Sequence, residues 1–145
     1  MNRWALRSRV LLTDTGPLVA MVNQQTTEHL PVMEALRELP NVPLLTTWPC
    51  LTEAMYLLHR DCGHTAQEVL WGYVTDELVL LHDLTTTEQQ RMRELMVRYA
   101  DTPMDLADAS LVVVAESLGL RQVFTLDDDF YLYRLADGTT LEVIP

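Results

Sequence analysis

The sequence predicts a three-layer α/β domain in which a mainly parallel sheet of about five strands is flanked by helices on both faces. Three observations lead there. Short apolar runs alternate with stretches whose apolar residues recur at helical spacing. The intervening helices are long enough to be right-handed crossovers between parallel strands. Acidic residues stand directly after two of the strands, where sheets of this kind bind their ligands.

Size and composition fit that architecture. The 145 residues are expected to form one domain, 1–145, burying roughly two-thirds of the surface the unfolded chain exposes. Hydrophobic residues make up 48% of the chain and are dispersed among charges. No apolar run approaches the roughly 20 residues that a bilayer span needs. The N-terminal stretch has positive charge before an apolar run, but the run breaks at Asp14 with no small-residue cleavage pattern behind it. A cytoplasmic protein with no membrane attachment is expected. Cys50 and Cys62 make neither a disulfide framework nor a metal pattern, so both are expected to be reduced, structural thiols.

The first strand is Val10 to Thr13, stopped by Asp14-Thr15-Gly16-Pro17 and followed by a helix over Leu18 to Met21. Apolar residues at helical spacing predict a second helix from Thr27 to Leu39, closed by Pro40, and a second strand follows at Val42 to Thr46. Thr47 caps the next helix, which carries Pro49 in its first turn, runs through Arg60 and ends at Gly63. A helix over Thr65 to Thr75 leads to a third strand at Leu78 to Leu81. Thr85 to Ala100 opens with a Thr-x-x-Glu capping box, Thr85 to Glu88. Thr102-Pro103-Met104-Asp105 starts a very apolar helix that continues to Leu118 and ends at Gly119. A fourth strand, Gln122 to Thr125, runs into Asp127-Asp128-Asp129, and a last strand at Leu141 to Ile144 follows a turn at Asp137-Gly138.

Net charge is −11, from 21 acidic against 10 basic residues, and such a field repels nucleic acid unless cations or a basic partner intervene. Every basic residue is Arg, so chemistry that requires a lysine ammonium is excluded. That removes a response-regulator receiver, which needs a strand-end Lys. P-loop and dinucleotide folds lack their glycine motifs, and a dehalogenase-like phosphatase would place an Asp where Gly16 stands.

Asp14 follows the first strand and Asp127 to Asp129 the fourth, while Glu53 and Asp108 sit near the starts of apolar helices facing the same rim. Like charges about 4 Å apart repel by roughly 4 kcal/mol at an effective dielectric near 20, so converging carboxylates must protonate or recruit a cation. Oxygen ligands without His or Cys favour Mg²⁺ or Mn²⁺ over zinc. Mg²⁺ keeps waters and substrate phosphate oxygens beside one or two carboxylates, which points to phosphodiester chemistry.

Asp14-Thr15-Gly16-Pro17-Leu18-Val19-Ala20, Glu53 in its apolar helix, Ala107-Asp108-Ala109-Ser110, and Phe124-Thr125-Leu126-Asp127-Asp128-Asp129-Phe130 resemble, in order, the successive motifs of PIN domains. The likeness runs from about Leu11 to Phe130. It implies an RNase H-like fold with Asp14, Glu53, Asp108 and Asp127 as a catalytic, Mg²⁺- or Mn²⁺-holding quartet. It further implies metal-activated hydrolysis of RNA that leaves a 3′-hydroxyl and a 5′-phosphate. Asp129 and Thr125 would support the metal site from behind its ligands. Small free-standing members of the VapC type imply a toxin held by a cognate antitoxin and forming a homodimer. Arg60, Arg91, Arg93, Arg98 and the Arg3, Arg7, Arg9 tail are the available phosphate contacts.

Each acid also has a structural reading. Asp105 occupies the capping-box site of a helix capped by Thr102, three residues before Asp108, so it either caps or binds metal. Asp14, Asp128 and Asp129 suit helix capping and turns, and Glu53 suits a solvated face with Arg60 two turns on. His29, His59, His64 and His82 lack paired ligand spacing and are expected to be structural or at the surface. Trp4, Trp48 and Trp71 are isolated and expected in core or interface packing. The alternative function is a PIN-fold binding or regulatory module with little or no catalysis, which the negative field would suit.

Overall fold

The computed structural model describes residues 9–145. Its elements are β1 (Leu11–Thr13), α1 (Thr15–Val22), α2 (His29–Glu38), β2 (Leu44–Thr47), α3 (Trp48–Cys62), α4 (His64–Thr75), β3 (Val79–His82), α5 (Thr86–Arg98), α6 (Leu106–Leu118), β4 (Gln122–Phe124), a 3₁₀ turn (Asp128–Tyr131) and β5 (Glu142–Ile144).

The sheet order is β3-β2-β1-β4-β5, and all four neighbouring pairs are parallel. The chain thus begins at the middle strand, builds outward to β3, then returns to build the other half. The order reverses between β1 and β4, which makes a crevice beyond their carboxyl ends. There Thr13 pairs with Phe124, and Asp14 N donates to Phe124 O at 2.9 Å.

Alternation along the strands sends side chains to opposite faces. Leu12, Leu45 and Val123 enter one core with α5, α6, Phe130 and Tyr133, while Leu11, Leu44, Val79 and Phe124 enter another with α1 to α4. Helix α6 is buried at every residue from Ala107 to Ala115, which explains why its sequence shows no polar face.

The helix signals act where the sequence puts them. Thr47 Oγ1 accepts from Cys50 N, and the Thr85–Glu88 box closes in both directions, Thr85 N to Glu88 Oε1 at 2.9 Å and Glu88 N to Thr85 Oγ1 at 3.2 Å. Gly63 and Gly119 end α3 and α6 at φ 81° and 67°, a region glycine enters without a Cβ clash.

Helix α6 departs from its expected start. Thr102 N and Met104 N both donate to Tyr99 O at 3.1 Å, so Thr102–Met104 is a turn hanging from the end of α5. Met104 is buried there, and Asp105, extended at φ −89° and ψ 176°, is the cap. The two thiols also differ from each other: Cys50 is buried, whereas Cys62 at the end of α3 is exposed.

Candidate metal centre

The centre is built by local rules that happen to meet at the crevice. Asp14 follows β1 and caps α1, its Oδ1 accepting from Thr15 N at 2.7 Å. Its Oδ2 accepts from Thr125 Oγ1 at 2.8 Å, one residue past β4. Thr125 Oγ1 in turn accepts from Asp127 N at 3.0 Å, and Asp127 Oδ1 accepts from Asp129 N at 2.9 Å as the 3₁₀ turn begins. A Cβ on Gly16 would stand 3.3 Å from the Leu126 side chain, so glycine lets the α1 start and the loop after β4 pack closely.

Asp108 arrives from the first turn of α6. Its N donates to Asp105 Oδ1 at 2.8 Å, and its Oδ2 accepts from the Tyr133 hydroxyl at 2.8 Å. Below it, Ser110 Oγ donates to Ala107 O at 2.6 Å and meets Thr47 Oγ1 at 2.6 Å, tying the start of α6 to the end of β2. One carboxylate oxygen each from Asp14, Asp108 and Asp127 can be chosen so that all lie within 4.8 Å of one another.

The other acids stand around this trio. Glu53 is exposed on α3, and its Oε2 accepts from Thr15 Oγ1 at 3.3 Å, next door to Asp14. With Asp105, Trp48 and Tyr56 it borders an open groove of about 610 Å³ at the rim. Arg60 is not its partner, because that guanidinium forks onto Asp61 at 2.8 and 3.0 Å. Asp105 serves as the α6 cap. Asp129 is half-buried, and its backbone N holds Asp127.

Burial, with repulsion between neighbouring acids, holds Asp14 and Asp108 above the ordinary carboxylate range. Burial, with Asp127 and Asp105 adding to it, raises Asp14 to about 6 despite its bonds from Thr125 and Thr15. Burial raises Asp108 to about 7, helped by Asp105, Asp14 and Asp127 and opposed by the Tyr133 hydroxyl. Asp129 is also raised, by desolvation and by Asp127 and Asp128.

No protein-family model matches the sequence, and no curated protein matches it. Solved structures do. VapC20 of Mycobacterium tuberculosis, described as a sarcin-ricin loop cleaving toxin, is similar at a TM-score of 0.79 and 22% identity, over 94% of this chain and 100% of that one. VapBC2 of Rickettsia felis, bound to a DNA fragment from its promoter, is similar at 0.64 and 13% identity, over 94% and 100%. FitAcB of Neisseria gonorrhoeae is similar at 0.58 and 18% identity, over 94% and 97%. The chain has the VapC-type PIN-domain fold.

Among the described residues, the arginines available as phosphate contacts make no hydrogen bond to Asp14, Asp108 or Asp127. Arg91 forks onto Glu116 at 3.0 and 3.1 Å, Arg98 lies 5.4 Å from the Tyr99 ring centre, and Arg93 borders a separate apolar groove; Arg9 is exposed. Arg3, Arg7 and Trp4 lie outside the described residues. Trp48 and Trp71 are 47% and 42% exposed, so neither is a core residue. His29 bonds Ala20 O, His64 pairs with Glu68 and His82 with Glu88, as structural or surface histidines do.

Two neighbours of the acidic cluster escape sequence reasoning. Cys50, fully buried, points its thiol at Asp14 Oδ1 and Ala107 O, both at 3.8 Å, and burial together with the Asp14 charge pushes it up to about 12, which keeps it a thiol. Tyr133 reaches Asp108 across 25 positions of chain, and no spacing rule connects them.

Proposed function

We propose that this protein is a divalent-metal-dependent endoribonuclease, the toxin of a toxin–antitoxin pair. The observation that carries the reading is the carboxylate trio Asp14, Asp108 and Asp127 at the β1/β4 crevice; Glu53 lies outside that trio, bonded to Thr15 beside Asp14. The PIN fold shared with VapC20, described as a sarcin-ricin loop cleaving toxin, supports it.

The donor set suits a hard cation. It offers carboxylate oxygens and no imidazole or thiolate, and two of its members are held above their ordinary range by burial, with neighbouring acids adding to it. Asp14, Asp108 and Asp127, with Glu53, are the residues that would hold Mg²⁺ or Mn²⁺. Bound there, the ion would polarise a phosphodiester and lower the pKa of a water.

The chain's own groups orient and insulate that centre. Thr125 and Thr15 fix both oxygens of Asp14, the Asp129 backbone fixes Asp127, and the buried Thr47–Ser110 pair fixes the start of α6 beneath Asp108. Asp105 supports the centre as the α6 cap. The partners in this reading are an RNA substrate, a cognate antitoxin and a second copy of the chain, in the cytoplasm. No helix of the described residues is long and apolar enough to cross a membrane.

One observation favours the binding-module alternative: the net charge of −11 with Arg60 and Arg91 already paired to carboxylates. Purified, partner-free protein incubated with total bacterial RNA, with Mg²⁺, Mn²⁺ or EDTA and beside Asp14→Asn, separates the two. Cleavage that is lost in EDTA and in the variant, leaving 3′-hydroxyl and 5′-phosphate ends, is the expected result. Folded protein that cuts no RNA with either metal would leave the binding module.

A further inference from the structure

Tyr133 is 2% exposed and wedged among aromatic rings, with Phe130 and Tyr99 both edge-on at 5.2 Å between ring centres. Tyr99 is itself anchored, its hydroxyl accepting from Arg134 N at 2.7 Å. A buried tyrosine hydroxyl needs a partner, and this one is Asp108 Oδ2 at 2.8 Å. The ring therefore has no freedom to follow Asp108; Asp108 must follow the ring.

We propose that Tyr133 is the positioning residue of the metal centre, holding Asp108 so that it offers a cation one oxygen rather than two; this rests on the metallonuclease reading above. The other members of the trio are hydrogen-bonded as well, Asp14 through both oxygens, from Thr125 Oγ1 and Thr15 N, and Asp127 through one, from Asp129 N. Carboxylates restrained in this way suit a small ion that takes few protein ligands and keeps its waters. Ca²⁺ takes six to eight oxygens, often from two-oxygen carboxylates, and is served worse. Tyr133 thereby contributes to selectivity for Mg²⁺ or Mn²⁺ over Ca²⁺ without touching the ion.

Tyr133→Phe keeps the ring and its packing and removes only the oxygen. Mn²⁺ and Ca²⁺ dissociation constants are measured by calorimetry for the wild type, Tyr133→Phe, Asp108→Asn and the double variant, with thermal melts of each in chelator. Tyr133→Phe is expected to weaken Mn²⁺ about tenfold, leave Ca²⁺ unchanged or tighter, and lose its effect in the Asp108→Asn background. Unchanged Mn²⁺ affinity, or equal weakening of both ions with or without Asp108, would overturn the proposal while leaving the metallonuclease reading intact. A folded wild type that binds no Mn²⁺ would overturn both.

Discussion

Thr125 and Asp14 lie 111 positions apart in sequence, yet Thr125 Oγ1 donates to Asp14 Oδ2 at 2.8 Å while accepting from Asp127 N at 3.0 Å. One hydroxyl thus joins the carboxyl ends of β1 and β4 and sets the distance between two of the three clustered acids. It is 1% exposed, so water cannot substitute for it.

Thr125→Val should accordingly cost about 1–2 kcal/mol of stability, the range for a buried bond whose partner is left unsatisfied. Asp14 loses the bond that most opposes its protonation, so its carboxyl should titrate higher still. Chemical denaturation and RNA cleavage assays on Thr125→Val and Thr125→Ser read this, with Ser expected to recover most of both losses. Equal behaviour of Val and wild type would sink the bridging role.

The raised acids make a second prediction, for the metal-free protein. Asp14 at about 6 and Asp108 at about 7 stand above their unfolded value near 3.8, so the folded state holds those protons more tightly than the unfolded chain does. Stability from this source is complete below about pH 4 and is lost as pH rises through 6 and 7. Glu88, whose pKa is lowered, contributes in the opposite direction but at more acid pH. Melts in EDTA should fall in temperature between pH 5 and 8, and Mg²⁺ should restore the loss at pH 8. A flat profile would mean that burial does not disfavour the charged forms of Asp14 and Asp108.

Neutralising one member tests the same effect without changing pH. Asp108→Asn keeps an oxygen for the Tyr133 hydroxyl and removes a buried charge. It should stabilise the metal-free protein at pH 8 by about 2 kcal/mol, less than the full shift converts to, because solvent screens part of the carboxylate. RNA cleavage should disappear in the same variant. Loss of both stability and activity would instead make Asp108 a structural residue.

Away from the centre, His82 at the end of β3 and Glu88 in the first turn of α5 are 4% and 6% exposed and meet at 2.9 Å through both carboxylate oxygens. Glu88 also closes the capping box onto Thr85 N. Glu88→Ala leaves both donors without this acceptor and should cost about 2–3 kcal/mol, whereas Glu88→Gln, which keeps one acceptor, should cost less than half of that. Urea unfolding of the two variants at pH 7 ranks them, and a larger loss for Gln would contradict the pairing.

The parts of this molecule that were legible in its sequence are those fixed by local chemistry. β1 running into Asp14, the Thr47 and Thr85 caps, the Gly63 and Gly119 stops and the acids after β4 all follow from neighbours within a few positions. The hidden parts depend on distant contacts. Met104 is buried and its N is tied to Tyr99, which delays α6 and turns Asp105 from a capping-box residue into the cap itself. The Asp137–Gly138 turn resembles a hairpin turn, but β5 instead joins β4 in parallel. The Tyr133–Asp108 and Cys50–Asp14 contacts exist only once the two cores have closed.

Asp105 separates a cap from a ligand. Its Oδ1 accepts from Asp108 N at 2.8 Å, and its side chain raises Asp14 and Asp108 by charge alone, without joining the closest trio. Asn and Ser both cap a helix, whereas Ala does not. If Asp105 acts as the cap, Asp105→Asn and Asp105→Ser should retain wild-type stability and most RNA cleavage, and Asp105→Ala should lose about 1 kcal/mol. Asn should also bring Asp108 down towards its ordinary range by removing a neighbouring charge, flattening the metal-free pH profile. A metal ligand would behave differently: Asn and Ser would then be as inactive as Ala, and Mn²⁺ affinity would fall in all three. Calorimetric Mn²⁺ titration of the three variants beside their melts decides between the roles.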